Sequence, residues 1–137
     1  MRRLRVEDEA QMKALGASLA RELQAGSVVL LSGPLGAGKT TFVRGLLENL
    51  GVTEPIRSPT FNLLQAFDTR PPVLHVDLYR VASHAGLGIE DYLDTYVVLI
   101  EWPDRAHGLV EDEAAWRVDI RFEPLGRSVQ IIPPRRG

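Results

Sequence analysis

A short segment beginning at Gly33 has the residue types and the spacing that bind a nucleotide phosphate. It fits G-x-x-x-x-G-K-[ST], the phosphate-loop signature, through Gly33, Gly38, Lys39 and Thr40. Glycines let the backbone turn tightly and direct its N–H groups at an anion. The lysine can reach the β- and γ-phosphates, and the threonine hydroxyl can bind Mg²⁺. The expected nucleotide contacts are Gly33, Pro34, Leu35, Gly36, Ala37, Gly38, Lys39, Thr40 and Thr41.

A phosphate loop needs a further acid for the metal, usually at the end of a neighbouring strand. Asp77 ends the apolar run "VLHVD", and Glu101 ends the run "VVLIE". Both acids could therefore emerge at the carboxyl edge of a sheet, where ligands of such folds bind. The pattern alone does not decide which acid holds Mg²⁺ and which acts on water or senses the γ-phosphate.

Other polar and aromatic residues near these acids have weaker signals. Thr60 in "RSPTF" lies where switch-type NTPases sense the γ-phosphate, although an ordinary turn would give the same pattern. His75 shares a strand face with Asp77, so the two could form a hydrogen bond, and we expect it to be structural rather than catalytic. Tyr79 and Trp102 follow the two acids, and packing is their default role.

The segments that must position these residues alternate between helix and strand patterns. Helices are predicted at 7–24 and 39–50, with a short one at 86–93. Strands are predicted at 27–33, within 72–80 and within 96–105, and a further strand could follow the loop around Pro59. The alternating segments 116–122 and 127–132 predict a hairpin. The predicted fold class is α/β: a three-layer P-loop NTPase fold, mainly parallel, with antiparallel C-terminal hairpin strands.

Composition narrows the possible protein classes. The chain has 137 residues, which predicts one domain over 1–137. It has no cysteine, which excludes disulfides and thiolate metal sites. The net charge of −2 argues against a general affinity for nucleic acid. Neither a signal peptide nor a membrane span is evident, so we expect a cytoplasmic protein that has no membrane partner.

Several motifs together resemble one family. "GPLGAGKTTFVRG", "SPTF", "HVDLYR", "GIEDYL" and "LIEWPDR" follow in the order and spacing of the TsaE family, over about half of the chain. The resemblance implies a P-loop ATPase of bacterial tRNA threonylcarbamoyladenosine biosynthesis, with ATP and Mg²⁺ as cofactors. It further implies that the protein acts on a complex of TsaB and TsaD, which modifies adenosine 37 of tRNA, and resets it between rounds. tRNA would be met only through that complex.

The resemblance also assigns roles to individual residues. Lys39 becomes the phosphate lysine, and Thr40 and Glu101 become the Mg²⁺ ligands. Asp77 and Thr60 take switch-like positions near the γ-phosphate and the attacking water. Two further residues are carried over as candidates for function: Trp102, and Arg127 as a nucleotide contact.

Other functions remain open from the sequence. A small-molecule kinase would transfer phosphate to a metabolite, but few residues are available between the two acids for a lid and a substrate pocket. A non-catalytic binding module would bind nucleotide without turnover. Direct tRNA binding is disfavoured by the charge. No guanine-reading N-K-x-D motif is present, which favours ATP over GTP.

Overall fold

The computed structural model describes residues 2–53, 64–79, 85–106 and 108–135. Their strands form one sheet: β1 Arg2–Val6, β2 Val28–Ser32, β3 Leu64–Phe67, β4 Val73–Asp77, β5 Val97–Glu101, β6 Trp116–Glu123 and β7 Gly126–Ile132. The α-helices of these ranges are α1 Glu9–Ala20 and α2 Lys39–Asn49. Three short 3₁₀ helices cover Ile89–Tyr92, Pro103–Ala106 and Asp112–Ala114.

The sheet has a parallel centre and antiparallel flanks. Its strand order is β1-β7-β6-β2-β5-β4-β3. β6, β2, β5 and β4 are parallel neighbours, whereas β7, β1 and β3 pair antiparallel. The predicted α/β class, the parallel strands and the C-terminal hairpin are therefore confirmed. Because β2, β4 and β5 run in the same direction, the phosphate loop and both strand-end acids lie at one edge of the sheet.

The two faces of the sheet are covered differently. α1 and α2 pack on one face, where Leu19 and Phe42 share an apolar cluster with Leu31 and Leu99 of the sheet. On the other face, apolar side chains of β2, β4 and β5 pack with residues of the 3₁₀ helices and their loops, including Ile89 and Ala106. The central strands are buried on both faces, which accounts for their non-alternating apolar sequences. Within the described residues, the third layer thus consists of single-turn helices and loops.

A close helix–helix contact holds α2, and with it the phosphate loop, against α1. A Cβ atom placed on Gly45 would lie 2.1 Å from the carbonyl oxygen of Lys13. One placed on Gly16 would lie 2.1 Å from the carbonyl oxygen of Phe42. Each helix therefore uses a glycine to let the partner's backbone approach, and larger side chains would separate the helices.

The first helix is shorter than its pattern predicted. The carboxylate of Asp8, in extended conformation, accepts a hydrogen bond of 2.8 Å from the Gln11 N–H and caps α1. Beyond Ala20 the chain makes single turns up to Gly26, whose φ is 90°. α1 is therefore shorter at both ends than the predicted span 7–24. None of the helices in the described ranges has the length and apolarity needed to cross a membrane.

Candidate functional site

The phosphate loop connects the end of β2 to the start of α2. Gly33 has φ 149°, and a Cβ there would lie 2.4 Å from the carbonyl oxygen of Ile120 in β6. Gly38 has φ 114° and occupies the N-cap position of α2. A glycine has no side chain that could bond to the first-turn N–H groups, so these donors face the loop and suit an anion. The local sequence thus builds the tight glycine-containing turn between strand and helix that its pattern predicted, and phosphate binding there stays a prediction.

Lys39 begins α2 and is almost fully buried, with 5% of its surface exposed. Its Nζ donates a hydrogen bond to the carbonyl oxygen of Gly33 and lies 3.9 Å from the centroid of the Trp102 ring. Burial lowers the pKa of its ammonium group from the ordinary 10.5, while the carboxylates of Glu101 and Asp77 act in the opposite direction. A buried cation beside two acids is therefore held at the mouth of the loop. Thr40 and Thr41 follow it, both half-buried.

The two strand-end acids are brought together by strand register. Asp77 of β4 is paired with Glu101 of β5, and Glu101 also lies opposite Leu31 of β2. Glu101 is 3% exposed, whereas Asp77 is half-buried and accepts a 3.0 Å hydrogen bond from the Tyr79 N–H. Both acids thus reach the edge beside Lys39. One or two carboxylates together with substrate phosphates are the usual ligands of Mg²⁺, and these residues fit that requirement.

His75 has a different partner from the one considered from the sequence. Its Nε2 lies 2.6 Å from Oε2 of Glu101, and the same-face neighbour Asp77 is not its partner. The two residues come from adjacent strands, with His75 paired to Leu99, two positions before Glu101. The contact therefore depends on the register between β4 and β5, which the sequence pattern does not encode. The available signal was a histidine inside an apolar strand.

Two aromatic rings cover this edge. The Trp102 and Tyr79 rings have centroids 4.8 Å apart and are tilted by 44°. The guanidinium of Arg105 donates to the carbonyl oxygen of Leu78 at 3.2 Å and also to that of Tyr79. These bonds connect the segments after β4 and β5. Trp102, expected from the sequence to pack, therefore packs on both Tyr79 and Lys39.

Arg127 joins the C-terminal hairpin to the phosphate loop. Its Nε donates a 3.2 Å hydrogen bond to the carbonyl oxygen of Ala37, and its guanidinium lies 4.5 Å from the Phe122 ring centroid. A cavity of about 230 Å³ opens beside it. Its lining comes from the start of α1, the loop and the hairpin, and includes Glu9, Gly36, Gly38, Thr41 and Arg127. The structure thus places Arg127 next to the loop.

The remaining predicted site residue cannot be placed. Thr60 and the rest of "SPTF" lie outside the described residues, within 54–63. The other expected site residues are described, and they collect at the loop and the adjoining sheet edge.

Comparisons with known proteins identify the family of this chain. A family model described as "Threonylcarbamoyl adenosine biosynthesis protein TsaE" matches residues 6–129. The tRNA threonylcarbamoyladenosine biosynthesis protein TsaE of Streptomyces coelicolor is 40% identical over 79% of this chain and 78% of its own. That of Haemophilus influenzae is 34% identical over 93% and 86%.

A solved structure shares the fold. The crystal structure of Bacillus subtilis YdiB superposes with a TM-score of 0.82 at 28% identity, covering 95% of this chain and 83% of that one. Together with the phosphate loop and the strand-end acids, the match of the family model over most of the chain shows that this chain belongs to the TsaE family of tRNA threonylcarbamoyladenosine biosynthesis proteins.

Proposed function

We propose that this protein is a Mg²⁺-dependent ATPase that serves the synthesis of N6-threonylcarbamoyladenosine at position 37 of tRNA. The observation that carries the proposal is the register pair of Asp77 and Glu101 beside the buried ammonium group of Lys39. Two acids and a phosphate lysine at one sheet edge are the parts that ATP hydrolysis requires. Family membership supplies the pathway.

The loop residues divide the work of binding ATP. The backbone N–H groups of Gly33, Leu35, Gly36, Ala37 and Gly38 would surround the β- and γ-phosphates. Pro34 has no N–H and would only shape the loop between them. Lys39 would leave the Gly33 carbonyl to contact the same phosphates. Thr40 and Glu101 would hold Mg²⁺, which when bound neutralises charge that develops on the phosphate oxygens. Thr41 follows Thr40 and lines the cavity beside the loop.

The nucleoside end of ATP would lie in the 230 Å³ cavity between loop and hairpin. Gly36 of the loop and Arg127 of the hairpin both line this cavity. The phosphate chain would leave the loop on this side, at Thr41, which also lines it. Arg127 would hold the loop backbone through Ala37 and contact the nucleotide. This assignment follows from the position of the cavity beside the first turn of α2.

Hydrolysis would depend on positioning rather than on covalent chemistry. Asp77, with Thr60, would orient the attacking water near the γ-phosphate. Three arginines in the described part of this region already have other partners: Arg105 bonds to Leu78 and Tyr79, Arg121 to Asp119, and Arg127 to Ala37. Because none of these three guanidinium groups is free to contact the γ-phosphate, we expect slow ATP hydrolysis by the protein alone and faster hydrolysis with partners.

The partners in this proposal are TsaB and TsaD, which resemblance to the family implies. The protein would bind their complex with ATP, and hydrolysis would reset the complex between rounds of tRNA modification. It would meet tRNA only through that complex, in the cytoplasm.

The test is a binding and turnover assay with purified TsaB and TsaD, with and without Mg-ATP. We expect this protein to bind the TsaB–TsaD complex in an ATP-dependent manner and to release inorganic phosphate. Lys39→Ala should reduce both the binding and the phosphate release. Glu101→Ala should abolish the Mg²⁺-dependent part of hydrolysis, and full hydrolysis by this variant would refute the metal assignment. Stoichiometric transfer of phosphate to a metabolite would replace the proposal with a kinase, and capture without turnover would replace it with a binding module.

A further inference from the structure

The polar side chain of His75 is buried in an apolar strand. His75 is 0% exposed, and its chain neighbours Leu74 and Val76 are 1% and 0% exposed. Its Nε2 lies 2.6 Å from Oε2 of Glu101, and Nδ1 has no hydrogen-bond partner in the described part of the chain. Burying an imidazole is unfavourable unless it is hydrogen-bonded, and an apolar side chain would fill the same space. The contact with Glu101 is therefore the specific property that this histidine adds.

Glu101 is held at one carboxylate oxygen. Oε2 is bound by His75, whereas Oε1 carries no hydrogen bond from any of the described residues. Glu101 ends β5 beside the phosphate loop, while His75 lies deeper along the neighbouring strand, level with Leu99. The imidazole thus holds the carboxylate from the interior and leaves the second oxygen available at the sheet edge.

We propose that His75 is a positioning residue that fixes the carboxylate of Glu101 for the metal of Mg-ATP. The inference rests on the proposed function, because it takes Glu101 as a metal ligand. Groups that hydrogen-bond to a metal-binding carboxylate fix its orientation, and their loss weakens metal binding. Since a carboxylate accepts hydrogen bonds, the imidazole must carry a proton on Nε2.

Four variants separate positioning from packing. His75→Leu keeps much of the volume but removes the donor, while His75→Gln returns an N–H group near the position of Nε2. Val73→Ala is the packing control, because Val73 lies two residues earlier on the same face and is 0% exposed. Glu101→Gln tests the metal assignment itself. ATP affinity is measured by calorimetry in EDTA and across a Mg²⁺ series, so the readout does not depend on turnover.

We expect His75→Leu to bind metal-free ATP like the wild type but to need about 10- to 100-fold more Mg²⁺ for the same gain in affinity. His75→Gln should recover most of this loss, and Val73→Ala should reduce stability without changing the Mg²⁺ requirement. If Glu101→Gln needed no more Mg²⁺ than the wild type, the proposed metal role of Glu101 would be overturned, and this inference with it. If the Mg²⁺ requirement changed in Glu101→Gln but not in His75→Leu, only this inference would be overturned.

A second measurement uses the unmodified protein and covers the case in which His75→Leu does not fold. Nitrogen-15 NMR of the histidine rings reports which nitrogen carries the proton. The proposal requires His75 to hold it on Nε2. A proton on Nδ1 alone would overturn the proposal, because that tautomer cannot donate to Glu101.

Discussion

The ammonium group of Lys39 lies 3.9 Å from the centroid of the Trp102 ring, in a cation–π contact. Trp102 has a φ of 62°, which is uncommon for a bulky residue. The backbone N–H of Trp102 donates to the carbonyl oxygen of Leu31 at 3.3 Å, and the indole ring packs on Tyr79. Several contacts therefore hold this conformation. The indole therefore covers the side chain that we propose binds phosphate.

Nucleotide binding should change the fluorescence of Trp102. To reach the β- and γ-phosphates, Lys39 must leave the indole ring and the Gly33 carbonyl, which alters the surroundings of the ring. The chain has two tryptophans, so Trp116→Phe leaves Trp102 as the only one. Adding Mg-ATP to this variant should change its emission. In Trp102→Phe the remaining Trp116, at the start of β6, should not respond; a response from Trp116 alone would contradict the prediction.

Lys39→Met should make the nucleotide-free protein more stable at neutral pH while abolishing ATP binding. Burial lowers the Lys39 pKa below 10.5, even though Glu101 and Asp77 raise it. Between the lowered pKa and 10.5 the unfolded chain binds more protons than the folded chain, so the stability contribution of Lys39 rises with pH across that interval. Below the lowered pKa the full penalty of burying the charge applies.

Urea unfolding from pH 7 toward pH 10 measures this effect. The advantage of Lys39→Met over the wild type should shrink as the pH rises, because the wild-type lysine loses its charge. Lys13→Met is the control for removing a positive charge, since Lys13 is exposed and pairs with Glu48 at 2.9 Å. A Lys39→Met protein that is less stable than the wild type at pH 7 would refute the argument.

Local patterns in the sequence were sufficient to predict the phosphate loop and the strand-end acids. An apolar run followed by an acid identifies a buried parallel strand and its carboxyl end, which is why Asp77 and Glu101 were found. The bond between His75 and Glu101 was missed because it depends on the register of two strands. Pairing between distant segments leaves no periodic signal in either segment.

The edge strand β1 shows the same limit, whereas the other edge strand, β3, lies where the sequence allowed a strand after the loop around Pro59. β1 was not predicted, because Arg2, Arg3 and Arg5 leave little apolar pattern in so short a segment. Its backbone is ordered by antiparallel pairing with β7, and exposed arginines suit an edge strand because they discourage pairing with another chain. The position of Arg127 beside the phosphate loop depends likewise on a contact with the distant Ala37, and only the resemblance to the family singled this arginine out.

Gly45→Ala should destabilise the fold although alanine is the better helix former. In an exposed helix this change would stabilise by about 1 kcal/mol. Here the new Cβ would lie 2.1 Å from the carbonyl oxygen of Lys13, so α1 and α2 must separate. We expect a net loss of about 1–3 kcal/mol in the free energy of unfolding, as overpacked cores show. Denaturant unfolding measures it, and Gly16→Ala should change stability in the same direction. A stabilised Gly45→Ala would show that the helices are not in close contact.

Arg127→Ala should weaken ATP binding by about tenfold, because a hydrogen bond from a charged group contributes about 1.5 kcal/mol or more. The lost bond is the one from Nε to the Ala37 carbonyl, which fixes the middle of the phosphate loop to the hairpin. Arg121→Ala is the matched control on the same hairpin: Arg121 is exposed and pairs with Asp119 at 2.9 Å. Calorimetric titration with Mg-ATP compares the two. Equal losses of ATP affinity in the two variants would indicate a general effect of positive charge. A loss confined to Arg127→Ala would show that ATP affinity depends on the hydrogen bond between the hairpin and the loop.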